Sequence, residues 1–182
     1  MRIVFDTRQQ AGKHDTKHDW LTAHGYELVR RKLDFGDYAL DVENPTLSID
    51  TKQNIAEVAQ NMTVGHARFN RECDRAAAAG ARLVVLVENT DGYLSLDDVS
   101  RWVNSHCRKC VLYWKRKCDP NETGKCNNPK HKKSAVKPIQ GARLARTMLH
   151  VSQDHGCEWL FCKPSEAGAV IAALLEKEVK NG

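Results

Sequence analysis

Short apolar runs of strand length alternate with longer stretches of helical spacing along this chain, and Gly, Pro and Asn mark the boundaries. Arg2 to Thr7 has the length and apolar content of a strand. Asp15 to His24 follows with Trp20, Leu21 and Ala23 at helical spacing, and Gly25 stops it. Tyr26 to Leu33 reads as a second strand; Gly36-Asp37 turns into a third from Tyr38 to Val42. Asn44-Pro45 turns the chain again, and Thr46 to Lys52 is a fourth strand. A long helical stretch runs from Asn54 to Ala79, interrupted near Thr63 to Gly65. Arg82 to Glu88 is almost unbroken apolar, as a strand buried on both faces should be. Leu96 to His106 and Ile139 to His155 are predicted helices, Glu158 to Cys162 a short strand, and Pro164 to Lys180 a closing helix. This order predicts an α/β fold, a mixed central sheet with helices on its faces.

Candidate chemistry sits at the end of the fourth strand, in Asp50-Thr51-Lys52. Residues two apart on a strand share a face, so Asp50 and Lys52 are expected side by side, with Asp37 brought near by the hairpin. Carboxylates hold a hard cation and a lysine beside them positions or activates water, which suits metal-dependent phosphodiester hydrolysis. Asp6, Glu57 and Glu88 are further acids at strand ends or on the next helix. Each has a plainer reading. Asp6 and Asp37 suit turns, Glu57 a solvated helix face and Glu88 a strand end. Asp50 and Glu88 weigh more because they interrupt apolar runs, where an unpaired charge is costly.

Charge and cysteine usage add a second feature. The net charge of +5 is unevenly spread. Residues 101–138 hold eleven Lys/Arg against two acids, a local charge of +9, whereas the remainder carries −4. A basic patch this concentrated is an electrostatic footprint for nucleic acid, or else a solubilising loop. Four of the seven cysteines, Cys107, Cys110, Cys118 and Cys126, crowd into the same segment, the number a tetrahedral structural zinc requires. His131 is an alternative ligand, and reduced unligated thiols are the other reading. Lys109, Lys115, Arg116 and Lys117 flank Tyr113 and Trp114 and are candidate DNA contacts. The chain is thus expected to divide into residues 1–100, a basic Cys-rich zinc-binding insertion at 101–138, and residues 139–182. Met1-Arg2 leads straight into Ile3-Val4-Phe5 without a secretory pattern, and no apolar stretch approaches the roughly 20 residues of a membrane span. The expectation is a cytoplasmic protein without membrane association.

Five blocks then resemble one family in order and spacing: Asp6-Thr7-Arg8, Leu33 to Tyr38, Asp50-Thr51-Lys52, Gly65 to Arg71, and Leu83 to Glu88. Together they are similar to the XPF/Hef-like nuclease domain, within the restriction-endonuclease-like PD-(D/E)XK superfamily. The resemblance covers residues 2–95 well and 139–180 loosely. It implies a divalent-metal endonuclease that cuts branched or flapped DNA in recombination or repair, with homodimerisation as a family property. Carried over, Asp37 and Asp50 would bind Mg2+ or Mn2+, and Lys52 would orient the nucleophile. Asp6 would stand close by, Arg8 would contact phosphate, and Arg68 and Arg71 would reach the DNA backbone.

The chain also departs from that pattern. The family's Glu-Arg-Lys is Asp50-Thr51-Lys52 here, and its last acid should fall at Ala56, whereas Glu57 comes one residue later. On a helix such a slip turns the side chain by about 100°. The tandem helix-hairpin-helix unit that many relatives use on DNA is not found in these 182 residues. The alternative function is a non-catalytic DNA-junction-binding module of the same fold. The apolar faces of Ile139 to His155 and Ala167 to Leu175 are the expected dimer surface, with core packing as the competing explanation.

Overall fold

The computed structural model describes residues 1–10, 12–118, 126, 128–129 and 138–181. Six strands form one mixed sheet: β1 (Arg2–Phe5), β2 (Glu27–Arg30), β3 (Tyr38–Leu40), β4 (Leu47–Lys52), β5 (Arg82–Glu88) and β6 (Glu158–Cys162). Their spatial order is β2-β1-β3-β4-β5-β6. β1 and β2 are parallel, β3 runs antiparallel to both β1 and β4, and β4, β5 and β6 are parallel. Among the described residues the helices are α1 (Asp15–Ala23), α2 (Ile55–Asn61), α3 (His66–Ala78), α4 (Leu96–Ser100), α5 (Ser105–Arg108), α6 (Val111–Trp114), α7 (Gly141–His155) and α8 (Ala167–Asn181).

Strand alternation sorts the core into two layers. Ile3, Tyr38, Ile49, Val84 and Leu86 face α1 and α8, where Leu21, Ile171 and Leu175 are buried. Leu83, Val85 and Val87 face the opposite layer, where α2, α3 and α7 bury Val58, Phe69, Leu144 and Met148. β5 is buried on both faces from Leu83 to Glu88, as its apolar run predicts. Burying a side chain such as Leu144 or Ile171 contributes roughly 1.5–3 kcal/mol. The apolar faces of α7 and α8 are therefore spent inside this chain's own core. No described helix is long and apolar enough to cross a membrane.

The expected helical break near Thr63 to Gly65 is present, separating α2 from α3. The expected helix from Leu96 to His106 is not continuous: α4 stops at Ser100 and α5 starts at Ser105. The reason is packing against α7. A Cβ on Gly141 would meet Val99 O at 2.4 Å and Trp102 N at 2.6 Å, so the two backbones abut and the helix ends there. Asn104 then takes over, capping α5 through His106 N and donating to Ile139 O at 3.1 Å.

Candidate active site

Register builds the site. Phe5 pairs with Tyr38 and Tyr38 with Ile49, so the next residues along, Asp6, Asp37 and Asp50, occupy one row across β1, β3 and β4. Backbone bonds extend the row: Asp6 N donates to Asp37 O at 2.9 Å, and Asp37 N to Ile49 O at 2.7 Å. Gly36 makes this possible. It adopts φ +69°, and a Cβ there would lie 2.2 Å from Ser48 Oγ. Glu72 on α3 fixes the turn from above by accepting from Gly36 N at 2.9 Å.

Asp50 and Lys52 share a face, as their spacing predicts. Both are buried, at 4% and 8% exposure. Lys52 Nζ donates to Asp50 Oδ1 at 2.6 Å. The same nitrogen lies 2.5 Å from Oδ2, so both carboxylate oxygens face the ammonium. Burial lifts the Asp50 carboxyl above its usual range against the pull of Lys52, and the charges of Asp37 and Glu72 add to the lift. For Lys52 burial opposes the charge, yet Asp50 and Asp37 more than offset it, so the ammonium is held above its ordinary value. Phe69 places its ring 6.0 Å from that ammonium. Asp37 is half-buried, and its Oδ2 accepts from Thr51 N at 2.9 Å and Thr51 Oγ1 at 2.6 Å.

Asp37, Asp50, Lys52 and Glu57 line one cleft of about 180 Å³, with Arg8 and His14 on the wall formed by the β1–α1 loop. Glu57 reaches the cleft despite its one-residue slip, whereas Ala56 lines a neighbouring one. Capping explains the placement. Asn54 Oδ1 accepts from Glu57 N at 2.9 Å, and Glu57 Oε2 accepts from Gln53 N at 2.8 Å. Glu57 thus closes the first turn of α2 with one oxygen and faces the cleft. A wider groove, about 780 Å³ beside Arg31, Phe35 and Val42, shares none of these residues. The smaller cleft is where Asp37, Asp50 and Glu57 meet Lys52.

Asp6 is 1% exposed and its carboxylate is fully committed. Oδ1 accepts from Arg8 N and Nε at 2.6 and 2.7 Å; Oδ2 accepts from Arg8 Nη2 and Leu33 N at 2.9 and 2.7 Å. Its work is to hold Arg8, whose guanidinium is half-exposed and also donates to Leu33 O at 2.8 Å. Burial pushes Asp6 up, but the Arg8 side chain and the amides of Leu33 and Arg8 pull harder and keep it below its ordinary 3.8. The stability it contributes is then fully present above that value and is lost as pH falls through the lower folded value. Asp6→Asn should cost about 2–3 kcal/mol at neutral pH, because an amide cannot accept all four donors. In urea unfolding the difference from wild type should shrink below a pH of about 3.8.

Glu88 does not join the row. Its Oε1 accepts from Lys17 Nζ of α1 at 2.5 Å, and both side chains are buried, at 3% exposure for Lys17 and 6% for Glu88. Arg68 and Arg71 are exposed on α3 and line no part of the cleft; Arg68 Nη2 donates to Asn61 Oδ1 at 3.3 Å. Sequence reasoning missed Lys17, Glu72 and His14. The Asn54-x-x-Glu57 capping signature was the signal that foretells where Glu57 faces.

In the basic segment Cys107, Cys110 and Cys118 are buried and Cys126 is half-buried, all as free thiols. Burial pushes Cys107 up to about 11, and the neighbouring Cys126, Cys118 and Cys110 each contribute. Gln140 Nε2 donates to Cys107 Sγ at 2.8 Å and Asn128 Nδ2 to Cys110 Sγ at 3.3 Å. Lys109, Lys115, Arg116 and Lys117 are exposed around α5 and α6. His131 lies outside the described residues. Among the described residues no three His, Cys, Asp or Glu side chains form a ready-made metal cage.

No family model and no curated protein matches the sequence. Among solved structures, the XPF from Aeropyrum pernix in complex with DNA matches with a TM-score of 0.59 and 16% identity over 99% of this chain. A second XPF structure from Aeropyrum pernix matches at 0.58 and 14% over 98%. This chain spans 66% and 65% of the length of those two chains. The likeness establishes the fold as the α/β architecture of these XPF structures.

Proposed function

We propose that this chain is a divalent-metal-dependent endonuclease that hydrolyses phosphodiester bonds in branched or flapped DNA of the kind formed in recombination and repair. One observation carries the reading. Asp50 and Lys52 are paired in a cleft that Asp37 and Glu57 also line. Two carboxylates so placed suit a hard cation, and Mg2+ in particular is commonly held by one or two carboxylates plus waters and substrate phosphate. Asp37 and Asp50 would hold Mg2+ or Mn2+, which supplies Lewis-acid activation of the scissile phosphate and of water. Lys52, kept protonated by its acid neighbours, orients the attacking water and steadies charge developing on the phosphoryl oxygens. Glu57 offers a further acceptor on the cleft wall, and Arg8, steered by Asp6, offers its outer guanidinium nitrogen to a phosphate. The likeness to a structure solved with DNA supports DNA as the partner. The test is cleavage of labelled flap, fork, four-way and linear duplex DNA with Mg2+ or Mn2+. Branched substrates should be cut and the linear duplex spared; equal cutting of all would overturn the branch preference.

Cys107, Cys110, Cys118 and Cys126 would supply the four thiolates of a structural Zn2+, which would stabilise a segment with few apolar residues of its own. Elemental analysis of purified protein should find about one zinc per chain. Cys118→Ser should lose it and weaken DNA binding, most at low salt, as the basic side chains around α5 and α6 lose their fixed arrangement.

A further inference from the structure

A second cleft, about 220 Å³, adjoins the first, and Gln53 lines both. Its floor is built where two neighbouring parallel strands end. Gln53 and Asn54 follow Lys52 of β4, and Thr90 and Asp91 follow Glu88 of β5. Its far wall is Val103, Ser105 and Arg108, where the cysteine-bearing segment begins. The two clefts meet at Gln53 and together lead from Asp50 and Lys52 toward the basic segment, a path called the trough below.

The trough has the chemistry of a nucleic-acid strand site. Arg108 is exposed, and among the described residues its guanidinium makes no ion pair. Asp91 stands on another wall of the cleft and disfavours phosphate there, so a backbone in the trough is drawn to the Arg108 side. Immediately beyond, Trp114 Nε1 donates to Arg108 O at 2.6 Å, which pins the indole while the residue stays 67% exposed. A pinned, exposed indole beside an unpaired arginine is a stacking platform next to a phosphate contact, the combination that holds single strands.

Resting on the nuclease reading above, we propose that the trough holds the single-stranded DNA that continues from the scissile phosphate, with a phosphate on Arg108 and a base stacked on Trp114. The cysteine-bearing segment then reads the unpaired arm of a branched substrate. The test is fluorescence anisotropy of the full chain with labelled oligo-dT and with blunt duplex, without added divalent metal, comparing wild type with Arg108→Gln, Trp114→Ala and Trp114→Phe. Trp114→Ala should weaken oligo-dT binding about 5- to 100-fold, with Trp114→Phe keeping most of the affinity. Arg108→Gln should weaken it too and lower the slope of log affinity against log salt by about 0.7. Duplex affinity should hardly change. Wild-type affinity for oligo-dT in Arg108→Gln and Trp114→Ala, equal losses on duplex, or no binding of oligo-dT by wild type would each overturn the trough. Binding needs no cutting, so the two ideas separate. Cutting by wild type with unaffected variants sinks the trough alone, whereas the expected binding losses without any cutting sink the nuclease reading alone.

Discussion

Asp50→Asn is expected to lower the rate of DNA cleavage about 1,000-fold or more while leaving the fold intact, because several kcal/mol of transition-state stabilisation depends on that carboxylate. The stability half of the expectation follows from the ion pair. Burial already disfavours the Asp50 charge, so neutralising it removes a penalty. Against this, Lys52 loses its nearest counter-charge. It keeps a hydrogen-bond acceptor in the amide oxygen, and Asp37 and Glu57 still favour its charge. The two effects oppose, and the midpoint of thermal unfolding should move by only a few degrees. Asp50→Ala removes the acceptor as well and leaves the buried ammonium without its nearest partner, at a cost of about 3–5 kcal/mol. Kinetics and thermal unfolding of both variants check this; an Asn variant that unfolds before it can be assayed would contradict the electrostatic account.

The second large effect lies in the Lys17–Glu88 pair. Glu88→Ala leaves the Lys17 ammonium buried with no partner, and should destabilise the protein by about 3–5 kcal/mol. In a chain of this size that lowers the thermal midpoint by about 6–20 °C. The paired replacement Lys17→Met with Glu88→Leu should recover most of the loss, because the desolvation cost of both charges disappears with them. Since Glu88 bonds Lys17 rather than lining the cleft, the single variant, assayed well below its midpoint, should cleave DNA like wild type. Urea unfolding of the two single variants and the pair gives the coupling directly. A strong loss of cleavage in folded Glu88→Ala would return Glu88 to the chemistry.

The contrast between Asp50 and Glu88 shows how far the sequence carries. Both break apolar strands, so both were visible as charges needing a reason. For Asp50 the reason lies two residues away in Lys52, and strand period makes it legible. For Glu88 the partner is on α1, 71 residues earlier, and no local pattern announces it. The same limit applies to the row of Asp6, Asp37 and Asp50. The β3–β4 hairpin is readable from Gly36 and Asn44-Pro45, but the insertion of β3 between β1 and β4 is a property of the sheet. Asp6 thus looked like one more acid, whereas its four donors make it the support of Arg8. Helix α4 ended early for an equally non-local reason, the approach of Gly141 to Val99 and Trp102. The strand and helix content, buried β5 and the break before α3 were all legible because they depend on near neighbours.

One measurement bears most directly on the cleft. Labelled flap DNA is incubated with wild type and with Asp50→Asn, with and without Mn2+, and binding and cutting are read from the same samples. Both proteins should bind, and only wild type with metal should cut. Binding by both with no cutting by either, or cutting by Asp50→Asn at the wild-type rate, would contradict the assignment of Asp37, Asp50 and Lys52 as the nuclease centre.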